Sequence, residues 1–75
     1  MQKTRVNTEG FQNLMRRNGF TLETLSEELK LSRTGLFNKI HNKTEFKASE
    51  MAKISVLFKM NKSEKDKIFF AVDVE

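Results

Sequence analysis

Between Arg33 and Lys43 the chain gathers the side chains most capable of binding chemistry. Arg33 offers a planar fork of donors that can pair bidentately with guanine. Thr34 and Asn38 are short hydrogen-bonding groups. Lys39 and Lys43 are point charges suited to phosphate, a contact that positions a partner without specifying it. The plain alternative for each is a solvated helix face. Phe37 stands among them as a large apolar group. Leu22 lies upstream; if both are exposed, the surface is apolar enough to suit a protein partner, since apolar anchors ringed by charge build protein interfaces. Leu22 also fits a core stripe with Leu25 and Leu29, whereas Phe37 fits that of Leu36 and Ile40 only at its edge. Arg16 and Arg17 close an earlier segment. There they suit the negative end of a helix, or clasp a phosphate or a partner's carboxylate.

Other chemistry is poorly provided for. The chain has one histidine, no cysteine, no tyrosine and no tryptophan. Thiolate metal sites and disulfides are thereby excluded, and most acid–base catalysis at neutral pH loses its usual agent. Glu23, Glu27 and Glu28 read as a solvated acidic face and not as metal ligands. His41 stands alone near a helix C-terminus. No nucleophile–base pair or phosphate loop is visible, so no enzyme, cofactor, metal or small-molecule substrate is expected. The longest apolar run, Ile68 to Val72, is far shorter than the roughly 20 residues that span a bilayer. Met1 to Arg5 have no apolar stretch behind them, as a signal peptide would. A cytoplasmic protein without membrane contact is expected.

The net charge is +4 over 75 residues, and its placement says more than its size. Residues 30–47 alone carry +4 (Lys30, Arg33, Lys39, Lys43 and Lys47 against Glu45), immediately after the −3 of Glu23, Glu27 and Glu28. An anionic partner would meet the chain there.

The elements that position these residues follow from helical periodicity. A first helix over about 8–18 places Phe11, Leu14 and Met15 on one face and stops at Asn18-Gly19. A second over about 22–29 starts from Thr21 as N-cap, with Glu23 in its first turn. A third over about 33–41 starts from Ser32 and carries Leu36 and Ile40. A fourth over about 48–60 turns Met51, Ile54 and Phe58 inward, with Ala48, Ala52 and Leu57 beside them. A fifth starts near Ser63, with Asp66 completing a capping box, and turns Ile68, Phe69 and Val72 inward. Residues 71–74 can form an extended tail; strand is otherwise the weaker reading. Two adjacent phenylalanines cannot both face inward on one helix. Phe69, Phe70, Val72 and Val74 are therefore either core or the seam of a homodimer. The expectation is a single all-α domain over 1–75: a small five-helix bundle with a central helix-turn-helix at about 21–41, whose second helix can enter a DNA major groove.

The stretch Gly19 to Ile40, two short helices about Lys30-Leu31-Ser32, resembles the helix-turn-helix of the Cro/CI type of phage regulators. Phe46, Glu50 and Ile54, followed by Ile68-Phe69-Phe70, are similar to the small regulators of temperate phages of Gram-positive bacteria. The resemblance covers about residues 8–71. It implies a lambda repressor-like fold and a regulator of the lysis/lysogeny switch in a bacterial host cell. Such a regulator is Cro-like or a modulator of repression (an antirepressor), with a CI-type repressor, operator DNA or both as partners. A plain operator-binding repressor with no protein partner is the alternative. Ser32 and Arg33 match the family's cap and reading positions. Other positions depart: Leu22 stands where the family often has a phosphate-anchoring Gln, Ser26 where alanine is usual, and Lys30 where glycine often makes the turn. Gly35 is unusual inside a helix, and Phe37 stands where many relatives expose a polar residue or tyrosine.

Overall fold

The computed structural model describes residues 2–73 as five helices and a two-stranded sheet, in the order β1 (Gln2–Val6), α1 (Thr8–Arg17), α2 (Leu22–Leu29), α3 (Arg33–Ile40), α4 (Ala48–Leu57), α5 (Lys62–Ile68) and β2 (Phe69–Asp73). The small helical bundle is as expected; the sheet is an addition to it. Among the described residues no helix is long and apolar enough to cross a membrane.

Every helix but α4 begins at a side chain that accepts from one of its first free N–H groups. The Asn7 carboxamide oxygen accepts from the Gly10 N–H at 3.1 Å. Thr21 and Thr24 cap reciprocally: the Thr24 N–H donates to Thr21 Oγ1 at 3.1 Å and the Thr21 N–H to Thr24 Oγ1 at 2.9 Å. Ser32 Oγ accepts from the Gly35 N–H at 2.9 Å. A Cβ on Gly35 would stand 3.0 Å from that oxygen. The glycine's place in the helix therefore leaves room for the cap. Lys47 has no side-chain acceptor, and α4 leans instead on Glu50, whose Oε1 accepts the Lys47 N–H at 2.8 Å. Two boundaries differ from expectation. The fourth helix ends at Leu57, because Lys59 adopts a left-handed conformation with φ 52°. The fifth is capped by Asn61 with Glu64, not by Ser63 with Asp66.

The turn between α2 and α3 also needs a left-handed residue, and Lys30 supplies it at φ 56° and ψ 41°. A side chain pays about 1–2 kcal/mol there that glycine does not. Lys30→Gly is therefore expected to raise stability by about 0.5–1 kcal/mol, part of the relief being lost to the freer unfolded chain. Urea denaturation followed by circular dichroism checks this, and an unchanged or lower midpoint would contradict it.

The core is built around Phe11, which is fully buried. Its ring stacks on Phe46 at 5.7 Å and meets Phe58 and Phe69 edge-on at 5.5 and 6.2 Å. Leu25, Leu36 and Ile54 are equally buried, so α1 to α4 all reach one centre. Ser26 is buried with its hydroxyl donating to the Glu23 carbonyl at 2.7 Å. Met51 and Leu57 pack against the core half-buried, but Ala48 and Ala52 are exposed, not beside it.

β1 pairs antiparallel with β2, Val6 opposite Phe69 and Arg5 opposite Phe70. The first strand was not expected, since residues 2–6 show no apolar alternation. It is clamped by the segment after α3. The Val6 N–H donates to Asn42 Oδ1 at 2.7 Å, Asn42 Nδ2 donates to the Val6 carbonyl at 2.9 Å, and the Thr4 N–H donates to Glu45 at 3.0 Å. The sequence predicts Ile68 and Phe69 inward; they are buried and half-buried, while Phe70 is exposed. The side chain of Val72, and Val74 entirely, lie outside the described residues.

Candidate functional site

α3 presents the residues singled out from the sequence. Leu36 and Ile40 are buried beneath it. This leaves Arg33, Thr34 and Phe37 exposed and Asn38 half-buried. Leu22, at the start of α2, is half-buried against the core and meets them at the surface. Together Leu22, Arg33, Thr34 and Phe37 line a shallow open cleft of about 270 Å³. Both expectations for the two apolar residues are thus partly met: Leu22 belongs to the core and also lines the surface, and Phe37 is 43% exposed.

Phe37 does not stand alone. The His41 ring lies with its centroid 4.1 Å from that of Phe37, at 35°. The Lys43 ammonium is 5.9 Å from the Phe37 centroid, within reach of the negative face of the ring. In the sequence His41 stands alone near a helix C-terminus; in the fold it backs the Phe37 ring. The Phe37/His41 spacing of i, i+4 was the signal that puts them side by side. Lys43 is carried there by the turn after α3, in which the Asn38 carbonyl accepts the Lys43 N–H at 2.8 Å. Arg33 and Lys43 make no ion pair among the described residues.

Lys39 is turned elsewhere. Its ammonium is 2.7 Å from Glu50 Oε1, with only 13% and 11% of the two side chains exposed. It also lies 5.9 Å from the Phe46 ring centroid. The sequence pattern placed it on the wet face, but it holds α3 to α4. Burial alone would raise the Glu50 carboxyl's pKa. Hydrogen bonds from Lys39 and the Lys47 N–H, and the charges of both lysines, outweigh this and hold it below the ordinary 4.5.

Arg16 and Arg17 do not join the cleft. The Arg16 guanidinium donates to Asn13 on its own helix. Arg17 is 3.6 Å from Glu64, an ion pair across α1 and α5 whose arginine is 72% exposed. Such a pair adds little stability. It sits in a second groove of about 260 Å³, floored by Leu14 and Ile68 and edged by Lys67. Glu23, Glu27 and Glu28 are all exposed on α2. Among the described residues no three histidines or acids are gathered as a metal ion would require.

The α3 surface therefore combines an exposed aromatic ring, an apolar floor and free cations. An apolar patch edged by charge is the make-up of many protein contact surfaces. Comparison of the chain with known protein families, with characterised proteins and with solved structures finds no match.

Proposed function

We propose that the protein is a helix-turn-helix regulator of the phage Cro/CI type, with α2, residues 30–32 and α3 as its recognition unit. In this reading it modulates repression in a lysis/lysogeny switch by docking its α3 face on a CI-type repressor. The observation that carries the reading is the exposure of Phe37 over a cleft it shares with Leu22 and Arg33. A ring left 43% exposed is an anchor that a partner could bury, and buried aromatics and arginines are the residues that dominate protein–protein affinity.

Direct operator binding is the second reading. Arg33 and Thr34 are exposed in the first turn of α3, where base edges are read, and Lys43 can meet phosphate. With Lys39 engaged by Glu50, however, the face has fewer free donors for DNA than its sequence promised.

The test is a mobility-shift titration of promoter DNA with this protein alone, with the cognate repressor alone, and with both, together with co-purification of the pair. Association with the repressor is expected. Phe37→Ala should weaken it by about tenfold or more while costing about 1 kcal/mol of stability, well short of the about 3–5 kcal/mol of a buried phenylalanine. No association, with salt-sensitive DNA binding by the protein alone, would establish the second reading instead.

A further inference from the structure

We infer that the α3 cleft is built for a protein segment that presents a large apolar side chain flanked by carboxylates. The inference rests on the reading of α3 as a protein-docking face and adds the chemistry of what docks there. Three observations converge. The floor is apolar on both walls, Leu22 from α2 and Phe37 from α3. The groups around it are cationic or neutral donors: Arg33 and Thr34 line the cleft, and the Lys43 ammonium stands 5.9 Å from the Phe37 centroid. Neither Arg33 nor Lys43 has an ion-pair partner among the described residues, although acids are plentiful on the neighbouring helix. Glu23, next to Leu22 in the chain, is exposed and makes no ion pair with Arg33.

Charge complementarity then specifies the occupant. A carboxylate matches the arginine fork in the bidentate geometry that gives such pairs their directionality. An apolar side chain seated between Leu22 and Phe37 shields that pair from water, which is how rim residues protect a hot spot. A second carboxylate would lie beside Lys43. DNA supplies the charge but fits the floor less well. Against Leu22 and Phe37 a duplex can set only thymine methyl groups, and the phosphates that carry most of its affinity need more free cations than this face holds. A basic surface, such as another reading helix, would set like charges opposite Arg33 and Lys43.

The experiment titrates the intact, nitrogen-15-labelled protein with three probes while the backbone amide resonances are followed. The first is a short peptide with a central Leu-Phe pair flanked by Asp and Glu. The second is the same peptide with Asn and Gln in their place. The third is a short DNA duplex of arbitrary sequence. The acidic peptide should shift the amides of Leu22, Arg33, Thr34 and Phe37 and weaken with added salt. The amide-substituted peptide should bind about tenfold more weakly or worse. Arg33→Gln should remove most of that difference, and Phe37→Ala should weaken both peptides alike. Equal binding of the two peptides, shifts confined to other surfaces, no shifts at all, or tighter binding of the duplex to the same amides would each overturn the inference. Failure here alongside co-purification with the repressor would overturn the carboxylate-and-apolar chemistry alone. Failure of both would remove the protein-docking reading as well.

Discussion

Phe11→Ala is expected to leave the protein unfolded, or folded so marginally that little urea is needed to unfold it. Phe11 is fully buried, and its ring touches rings from three other parts of the chain: Phe46 before α4, Phe58 at its end, and Phe69 in β2. Removing it deletes the transfer energy of the ring and opens a cavity whose walls belong to separate elements, so partial collapse cannot fill it. The usual cost is about 3–5 kcal/mol. A domain of 75 residues has about 4–11 kcal/mol in all, at about 0.05–0.15 per residue. Since a small domain loses about 1 kcal/mol per molar urea, the midpoint should fall by about 3 M or more. Urea titration followed by far-ultraviolet circular dichroism measures this, and a loss below about 1.5 kcal/mol would show that Phe11 is not the centre of the core. Set beside Phe37→Ala, the experiment separates two phenylalanines of the same sequence by role. One holds the fold and the other faces outward.

That separation is partly legible in the sequence. Phe11 shares a helical stripe with Leu14 and Met15, and all three are buried. The pair α2–α3 was readable because its determinants are local. Thr21 and Ser32 each lie at the start of a helix, within hydrogen-bonding reach of its free N–H groups, whereas the left-handed turn at Lys30, φ 56°, carries no glycine to announce it. β1 was not readable because nothing in residues 2–6 specifies a strand. Its partner lies at the other end of the described chain, and its end is fastened by Asn42, a residue whose φ of 66° is tolerated better by asparagine than by most side chains. Lys39 was misplaced for a related reason. Helical spacing reports which side of α3 a residue occupies, but not that Glu50, on the next helix, waits there. At the start of α5 the sequence reading takes Ser63 with Asp66, whereas Asn61 with Glu64, the same pattern two residues earlier, forms the capping box.

Glu50→Gln is expected to destabilise the protein by about 2 kcal/mol at neutral pH and to change its response to acid. Glutamine can still accept the Lys47 N–H, so the start of α4 keeps its capping geometry. What disappears is the charge opposite Lys39, whose side chain is only 13% exposed. Breaking a fully buried pair costs about 3–5 kcal/mol, mostly by stranding the remaining ion. Here some solvent reaches both groups, which lowers the figure. Lys39→Met in the same background should recover much of the loss, because the stranded ammonium is then gone, and a double-mutant cycle would report the coupling directly. Acid supplies an independent reading. The Glu50 carboxyl is held below its ordinary 4.5 in the folded protein. Its contribution to stability is therefore complete above about 4.5 and is lost as pH falls through the depressed folded value. Wild type should lose more stability than Glu50→Gln over that interval, and the two should converge at the acid end. Parallel stability–pH curves, or a neutral Glu50→Gln, would show that the pair fixes the angle of α3 without contributing net free energy. Because Lys39 lies in α3 itself, hydrogen exchange of the α3 amides should quicken in Glu50→Gln more than that of α2. The face that carries Arg33 and Phe37 would then loosen before the rest of the molecule does.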